Sequence, residues 1–155
     1  MSFTSLIVML DPRRWLKCTL IAAIAAGILS GLPSTMWAVV TGGDIWEATL
    51  AAGAALVGAD ATFAQLLAAA TVAHGGMSLF WAGVLCASLP KKWSIVCGTI
   101  AGVLIAVLDI LIIGQAFPSI RELAFLPQLA DHMMFGAVVG VLVGWFGREK
   151  TSERE

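Results

Sequence analysis

The sequence is short of charge. Asp, Glu, Lys and Arg make up 12% of its 155 residues, against 59% that are hydrophobic; an ordinary soluble domain carries roughly 25% charged residues. The deficit is not spread evenly. No acid, base or histidine lies between Lys17 and Asp44 or between His132 and Arg148. Only His74 interrupts the run from Asp60 to Lys91, and only Asp109 the run from Lys92 to Arg121. With their flanking residues these runs can cross a hydrocarbon core of about 30 Å, which takes roughly 20 helical residues. Four crossings leave no room for a separate aqueous domain. The expected fold is all-α, an integral membrane four-helix bundle forming a single transmembrane domain over residues 1–155, with spans at about 16–40, 63–89, 93–116 and 128–147.

Other absences narrow the function. There is no P-loop, GxSxG, HExxH or nucleotide-binding glycine pattern, and no basic patch suited to nucleic acid. An enzyme is therefore disfavoured, and no catalytic, cofactor-binding or metal-binding residue is assigned. The cysteines Cys18, Cys86 and Cys97 include no CxxC or adjacent pair. Their similar depth, near the same ends of the spans, allows a soft-metal or thiol-exchange site in principle. A reducing cytoplasm disfavours structural disulfides, so they are expected to pack as small apolar residues. The residues before Asp11-Pro12 lack the basic n-region of a secretory signal, and "SLIVML" is too short for its apolar core. "RRWLK" resembles a twin-arginine signal but differs in spacing by one residue, so the first span is expected to be uncleaved. Phe3, Leu6, Ile7 and Leu10 recur at helical spacing, which suits a lead-in over 1–11 lying on the membrane surface.

The few charges are sorted by side. Arg13, Arg14 and Lys17, Lys91 and Lys92, and Arg148, Lys150 and Arg154 all fall on one side of the expected spans, and only Arg121 on the other. A Lys/Arg excess in short loops marks the cytoplasmic face, so both termini are expected inside. Trp15, Trp93 and Trp145 then share the cytoplasmic interface, where indole rings settle.

Between the first two spans, Asp44 and Glu47 have the spacing of a capping box, predicting an interfacial or partly re-entrant helix over 45–58, outside the membrane and too short to span. Asp60 is expected to cap span 2, and Pro127 suits the first turn of span 4. Pro33 should kink span 1, with Ser34 and Thr35 at hand for the freed carbonyl. Two Pro-Ser pairs, Pro33-Ser34 and Pro118-Ser119, each followed by an outer segment and a histidine-bearing span, suggest a faint tandem repeat. Gly27 and Gly31, Gly98 and Gly102, and Gly136, Gly140 and Gly144 form small-xxx-small stripes that favour close helix packing, within one chain or between copies.

Ionisable groups inside the spans need a reason to be there. Asp109 sits well inside span 3, where a lone carboxylate costs at least about 2.5–3.5 kcal/mol, and it shares the Gly98–Gly102 face. His132 continues the face of Gly136, Gly140 and Gly144. Matching depths predict an Asp109–His132 hydrogen bond or ion pair, with Arg121 placed to join as a third partner. Asp131 points about 100° away from His132 and is read as a helix-terminus residue, favoured there by the dipole. Thr71, His74 and Ser78 share one face of span 2, which suits a hydrogen-bonded structural histidine. A haem or metal held by His74 and His132 is disfavoured, since no spacing supports it.

The blocks "GLPSTMWAVVTGGDIWEAT" and "PSIRELAFLPQLADHMMFGAVVG", with the His74 region, resemble a group of small, uncharacterised bacterial membrane proteins of actinobacterial type. Such proteins carry similar Pro-Ser-Thr, Ala-Thr-x-Ala-Ala-Gly and Ala-Asp-His segments. The likeness covers most of residues 27–145 and departs at Trp37, where a histidine is expected, and at Ile45-Trp46, where a proline is usual. It implies a bacterial inner-membrane location and supplies no activity. The expectation is thus an accessory or interaction component whose partners are the lipid bilayer and either a second copy or another membrane protein, without a cofactor. The alternative is a small transporter or proton-coupled permeation unit using Asp109 and the histidines.

Overall fold

The computed structural model describes residues 11–152, with side chains to Gly147; the lead-in expected over 1–11 lies outside it but for Asp11. Every regular element among the described residues is helical. The helices are α1 (Pro12–Leu29), α2 (Leu32–Thr41), α3 (Glu47–Val57), α4 (Phe63–Ser88), α5 (Ser94–Leu111), α6 (Pro118–Arg121) and α7 (Phe125–Ser152), with a 3-10 turn at Ile113–Gln115. Four segments are long and apolar enough to cross a membrane: Pro12–Thr41, Phe63–Ser88, Ser94–Gln115 and Phe125–Gly147.

Local chemistry sets most boundaries. Asp11 accepts the Arg13 N–H at 3.0 Å, and Pro12 opens α1, where its missing donor costs nothing. α1 stops at Leu29 because Pro33 has no N–H for the Leu29 carbonyl, and its ring would collide with it. α2 then resumes in line, so the first span is two helices separated at Ser30-Gly31. The Ser34 and Thr35 hydroxyls donate to the Gly31 carbonyl, at 3.2 and 2.8 Å, rather than to the carbonyl that the proline frees.

Two caps differ from those expected. Asp44 turns its side chain onto the Trp46 N–H at 2.9 Å, closing a tight local turn, so the Asp44–Glu47 box does not form and α3 starts at Glu47 without a side-chain cap. Span 2 is capped by Thr62, not Asp60: Thr62 accepts the Gln65 N–H, and the Gln65 side chain returns to the Thr62 N–H at 2.9 Å. Both Pro-Ser prolines lie in the first turn of a helix, but Pro33 continues a membrane-capable segment while Pro118 opens a helix of 4 residues.

α1 packs on α4 and α7, α2 on α7, α3 on α4 and α6, and α5 on α7 in the most extensive contact. The core is built from small residues: Cys18, Ala22 and Ala26 of α1, Ala82 and Cys86 of α4, and Ala106 of α5 are fully buried, along with Val139 and Val143 of α7. Leu85, Leu89, Ile105 and Phe135 are the larger buried residues, while many other large apolar side chains face outward, Ile28 at 72% and Val72 at 70% exposure included. That inversion suits a lipid surround, where burying large apolar groups brings no hydrophobic gain and close backbone approach brings dispersion contacts. α5 and α7 meet backbone to backbone. A Cβ at Gly98 would strike the Gly136 carbonyl, one at Gly102 the His132 carbonyl, and one at Gly140 the Ser94 carbonyl. The other stripe glycines differ: Gly27 abuts the Ser78 side chain, Gly144 the Ser94 hydroxyl, and Gly31 has open space.

Candidate functional site: the intramembrane polar groups

The ionisable residues of the spans gather around the broken first span and the α5–α7 seam. Asp109 lies in the last turn of α5, not well inside a continuous helix, because α5 ends at Leu111 before the 3-10 turn. A carboxylate there opposes the helix dipole and needs a cationic or donating partner. His132 supplies it: its Nε2 is 3.3 Å from Asp109 Oδ2. α5 and α7 run antiparallel, and side chains lean toward the N-terminus of their own helix, so these two lean toward each other across the glycine seam.

The hydrogen bonding of His132 fixes the proton count. Its Nδ1 lies 2.8 Å from the Gln128 carbonyl, and a carbonyl only accepts, so Nδ1 carries a hydrogen. A hydrogen bond between Nε2 and Asp109 then requires one more proton, on the imidazole or on the carboxyl. The pair is net neutral either way, which lowers the cost of placing it within a span. Its side chains are 20% exposed on His132 and 31% on Asp109, so the pair borders the outer surface of the bundle.

Asp131 does something its position in the sequence does not announce. It is the seventh residue of α7, past the first turn, so it is not the helix-terminus acid expected of it. Its Oδ1 accepts the Ser34 N–H at 2.9 Å. In an unbroken helix that N–H would bond to the Ser30 carbonyl; at the break it has lost that partner, and an acid from a different span takes the role of an N-cap. His74 serves the other side of the same break. Its Nε2 donates to the Gly27 carbonyl at 2.8 Å, supplemented by the Ser30 hydroxyl at 3.3 Å. One discontinuity is thus bridged from α7 at its N–H side and from α4 at its carbonyl side, which is how non-helical backbone is tolerated within a span.

Arg121, expected as a third partner of the Asp109–His132 pair, ends α6 in an exposed position, and its side chain makes no hydrogen bond or ion pair among the described residues. α6 packs on α3, where Ser119 donates to the Ala51 carbonyl at 3.1 Å, and this sets Arg121 apart from the seam. Cys18 and Cys86 come together at 3.0 Å between sulfurs, joining α1 to α4 in the core, while Cys97 of α5 is half-buried at the edge of the core. Near them the Trp15 indole N–H reaches the Gly83 carbonyl at 3.1 Å. Among the described residues no group of three or more His, Cys, Asp or Glu could hold a metal ion.

The Asp131 contact gives a direct test. Asp131→Ala leaves the Ser34 N–H without an acceptor and should lower the unfolding free energy by about 1–3 kcal/mol. Asp131→Asn keeps an acceptor oxygen and should retain most of the stability. Unfolding in mixed detergent micelles reads both, and an equal loss in the two variants would mean that charge, not capping, is what matters.

Compared with protein-family models, curated proteins and solved structures, the chain matches none of them.

Proposed function

We propose that this chain is a small multi-pass protein of a bacterial inner membrane, with both termini cytoplasmic, that works as a non-enzymatic interaction or accessory component. The observation that carries the reading is that each of the four ionisable side chains discussed above is engaged by a partner within the bundle: Asp109 with His132, Asp131 with Ser34 and His74 with Gly27. Groups that serve permeation need to face a wet path and exchange partners; these hold the spans to one another. The one-sided Lys/Arg distribution supports the orientation, α3 fits an outer interfacial element, and the glycine contacts of α5 and α7 favour stripe packing. Kinship with the small actinobacterial-type four-span proteins belongs to the same proposal and rests on the Pro-Ser-Thr and Ala-Asp-His segments.

A second reading, a proton-coupled permeation unit, is favoured by one feature: the Asp109–His132 pair holds a proton and is not sealed from the surface of the bundle. Reconstitution into vesicles loaded with a pH-sensitive dye separates the two. The accessory reading expects acidification no faster than in protein-free vesicles, together with recovery of a stoichiometric membrane partner on mild solubilisation. Proton flux that disappears in Asp109→Asn would replace it with the second reading.

A further inference from the structure

The basic end of the bundle carries a cleft of about 450 Å³ between the α4–α5 turn and the last turns of α7. None of the polar groups discussed above lies in it. Its rim is cationic. Lys91 lies along α7, its stem so close that a Cβ at Gly147 would stand 3.1 Å from the Lys91 Cδ, and the Lys92 ammonium stands 5.7 Å from the centre of the Trp93 ring. Neither lysine is paired with an acid among the described residues.

The floor of the cleft is the start of α5. Trp93 provides no side-chain cap there, so the first N–H groups of an 18-residue helix are left without a side-chain acceptor at the floor of a cleft rimmed by lysines, a setting that favours an anion. Ser94 gives the independent sign of a ligand. It is only 3% exposed, it lines the cleft, and its hydroxyl has no hydrogen-bond partner among the described residues. That hydroxyl is directed at Gly144, another lining residue, where an added Cβ would stand 3.0 Å away. The hydroxyl is therefore a donor available to an occupant of the cleft.

The walls below the rim are apolar and open sideways. Ile95, Val96 and Val141 are each about half exposed on helices that are long enough to span, so this side of the cleft faces acyl chains. A free anion would find only the upper half of the site complementary; a lipid fits both halves. We propose that the cleft seats one anionic phospholipid, its phosphate between Lys91, Lys92, the Ser94 hydroxyl and the α5 N-terminus, with an acyl chain running down between α5 and α7. Basic pockets between spans bind anionic headgroups in this manner, and the exposed Trp93 ring suits the headgroup level.

Native mass spectrometry of the full chain, released from micelles doped with equal amounts of phosphatidylglycerol and phosphatidylcholine, tests this. One phosphatidylglycerol should be retained in preference to phosphatidylcholine. The double change Lys91→Gln with Lys92→Gln should weaken that retention roughly tenfold to thirtyfold at low salt, from about 1 kcal/mol per lysine. Arg13→Gln with Lys17→Gln removes the same charge from exposed positions at the same end of the bundle that do not line the cleft, and should leave retention nearly unchanged. Equal losses in the two double variants would reduce the effect to diffuse charge and overturn the site. So would equal retention of the two lipids, or displacement of the bound lipid by millimolar inorganic phosphate, which would show that a free anion suffices.

Discussion

Gly140→Ile should abolish the folded bundle or lower its unfolding free energy by more than about 3 kcal/mol, beyond the usual range of overpacking in a core. The reason is what the new side chain would meet. A Cβ at Gly140 would strike the Ser94 carbonyl and stand 2.7 Å from the Ile95 Cα, and one at Gly136 would strike the Gly98 carbonyl with the Gly102 nitrogen 3.0 Å away. All of these are backbone atoms of α5, so no flexible side chain can swing aside; α5 and α7 have to part. Parting them also separates Asp109 from His132. Gly76 provides the control, because a Cβ there meets nothing within 4 Å, and Gly76→Ile should cost little beyond its helix propensity. Thermal unfolding in detergent, followed by size-exclusion chromatography, reads both variants. Unchanged stability of Gly140→Ile would mean that this face does not hold the bundle together.

The layout of the spans was readable because lipid imposes a coarse rule: stretches without charge, long enough to cross, become helices. Face counting at 100° per residue was enough to bring Asp109 and His132 together, since both positions share a face with glycines that cannot fill the seam. The break in the first span was readable only in part. A proline is an obvious interruption, but it stops the helix four residues upstream at its lost carbonyl, so the groups left over belong to Gly27 and Ser34. Their partners come from 47 and 97 residues away, and no local pattern announces a contact at that separation. Asp131 is the case in point, since its partner Ser34 lies on another span. Its angle on α7 was derivable, but what lies opposite was not. The caps are different, since Thr62-x-x-Gln65 carries the capping-box signature in the sequence itself, two residues past the acid Asp60. Asp44 had the right spacing to Glu47 yet found a closer donor in Trp46. The Cys18–Cys86 contact had no sequence spacing to reveal it, only a shared depth.

The central claim is that the ionisable side chains within the spans fasten helices to one another. Asp109 and His132 state it most sharply. Removing one partner strands the other: in His132→Gln the carboxylate in the last turn of α5 loses its imidazole, and in Asp109→Asn the imidazole loses its carboxylate. Each single change should therefore be destabilising by about 1–3 kcal/mol. Asn and Gln can hydrogen-bond to each other across the same seam without sharing a proton, so the double variant should recover much of that loss. Interhelical hydrogen bonds in membranes couple by about 0.6 kcal/mol on average and up to roughly 1.7, and a neutral pair at 3.3 Å belongs near the upper end. The measurement is a double-mutant cycle of unfolding free energies in mixed micelles for the parent chain, Asp109→Asn, His132→Gln and the double variant. A coupling energy of about 1 kcal/mol or more, with the double variant more stable than either single one, is the predicted result. Strictly additive losses, or two single variants as stable as the parent, would contradict it.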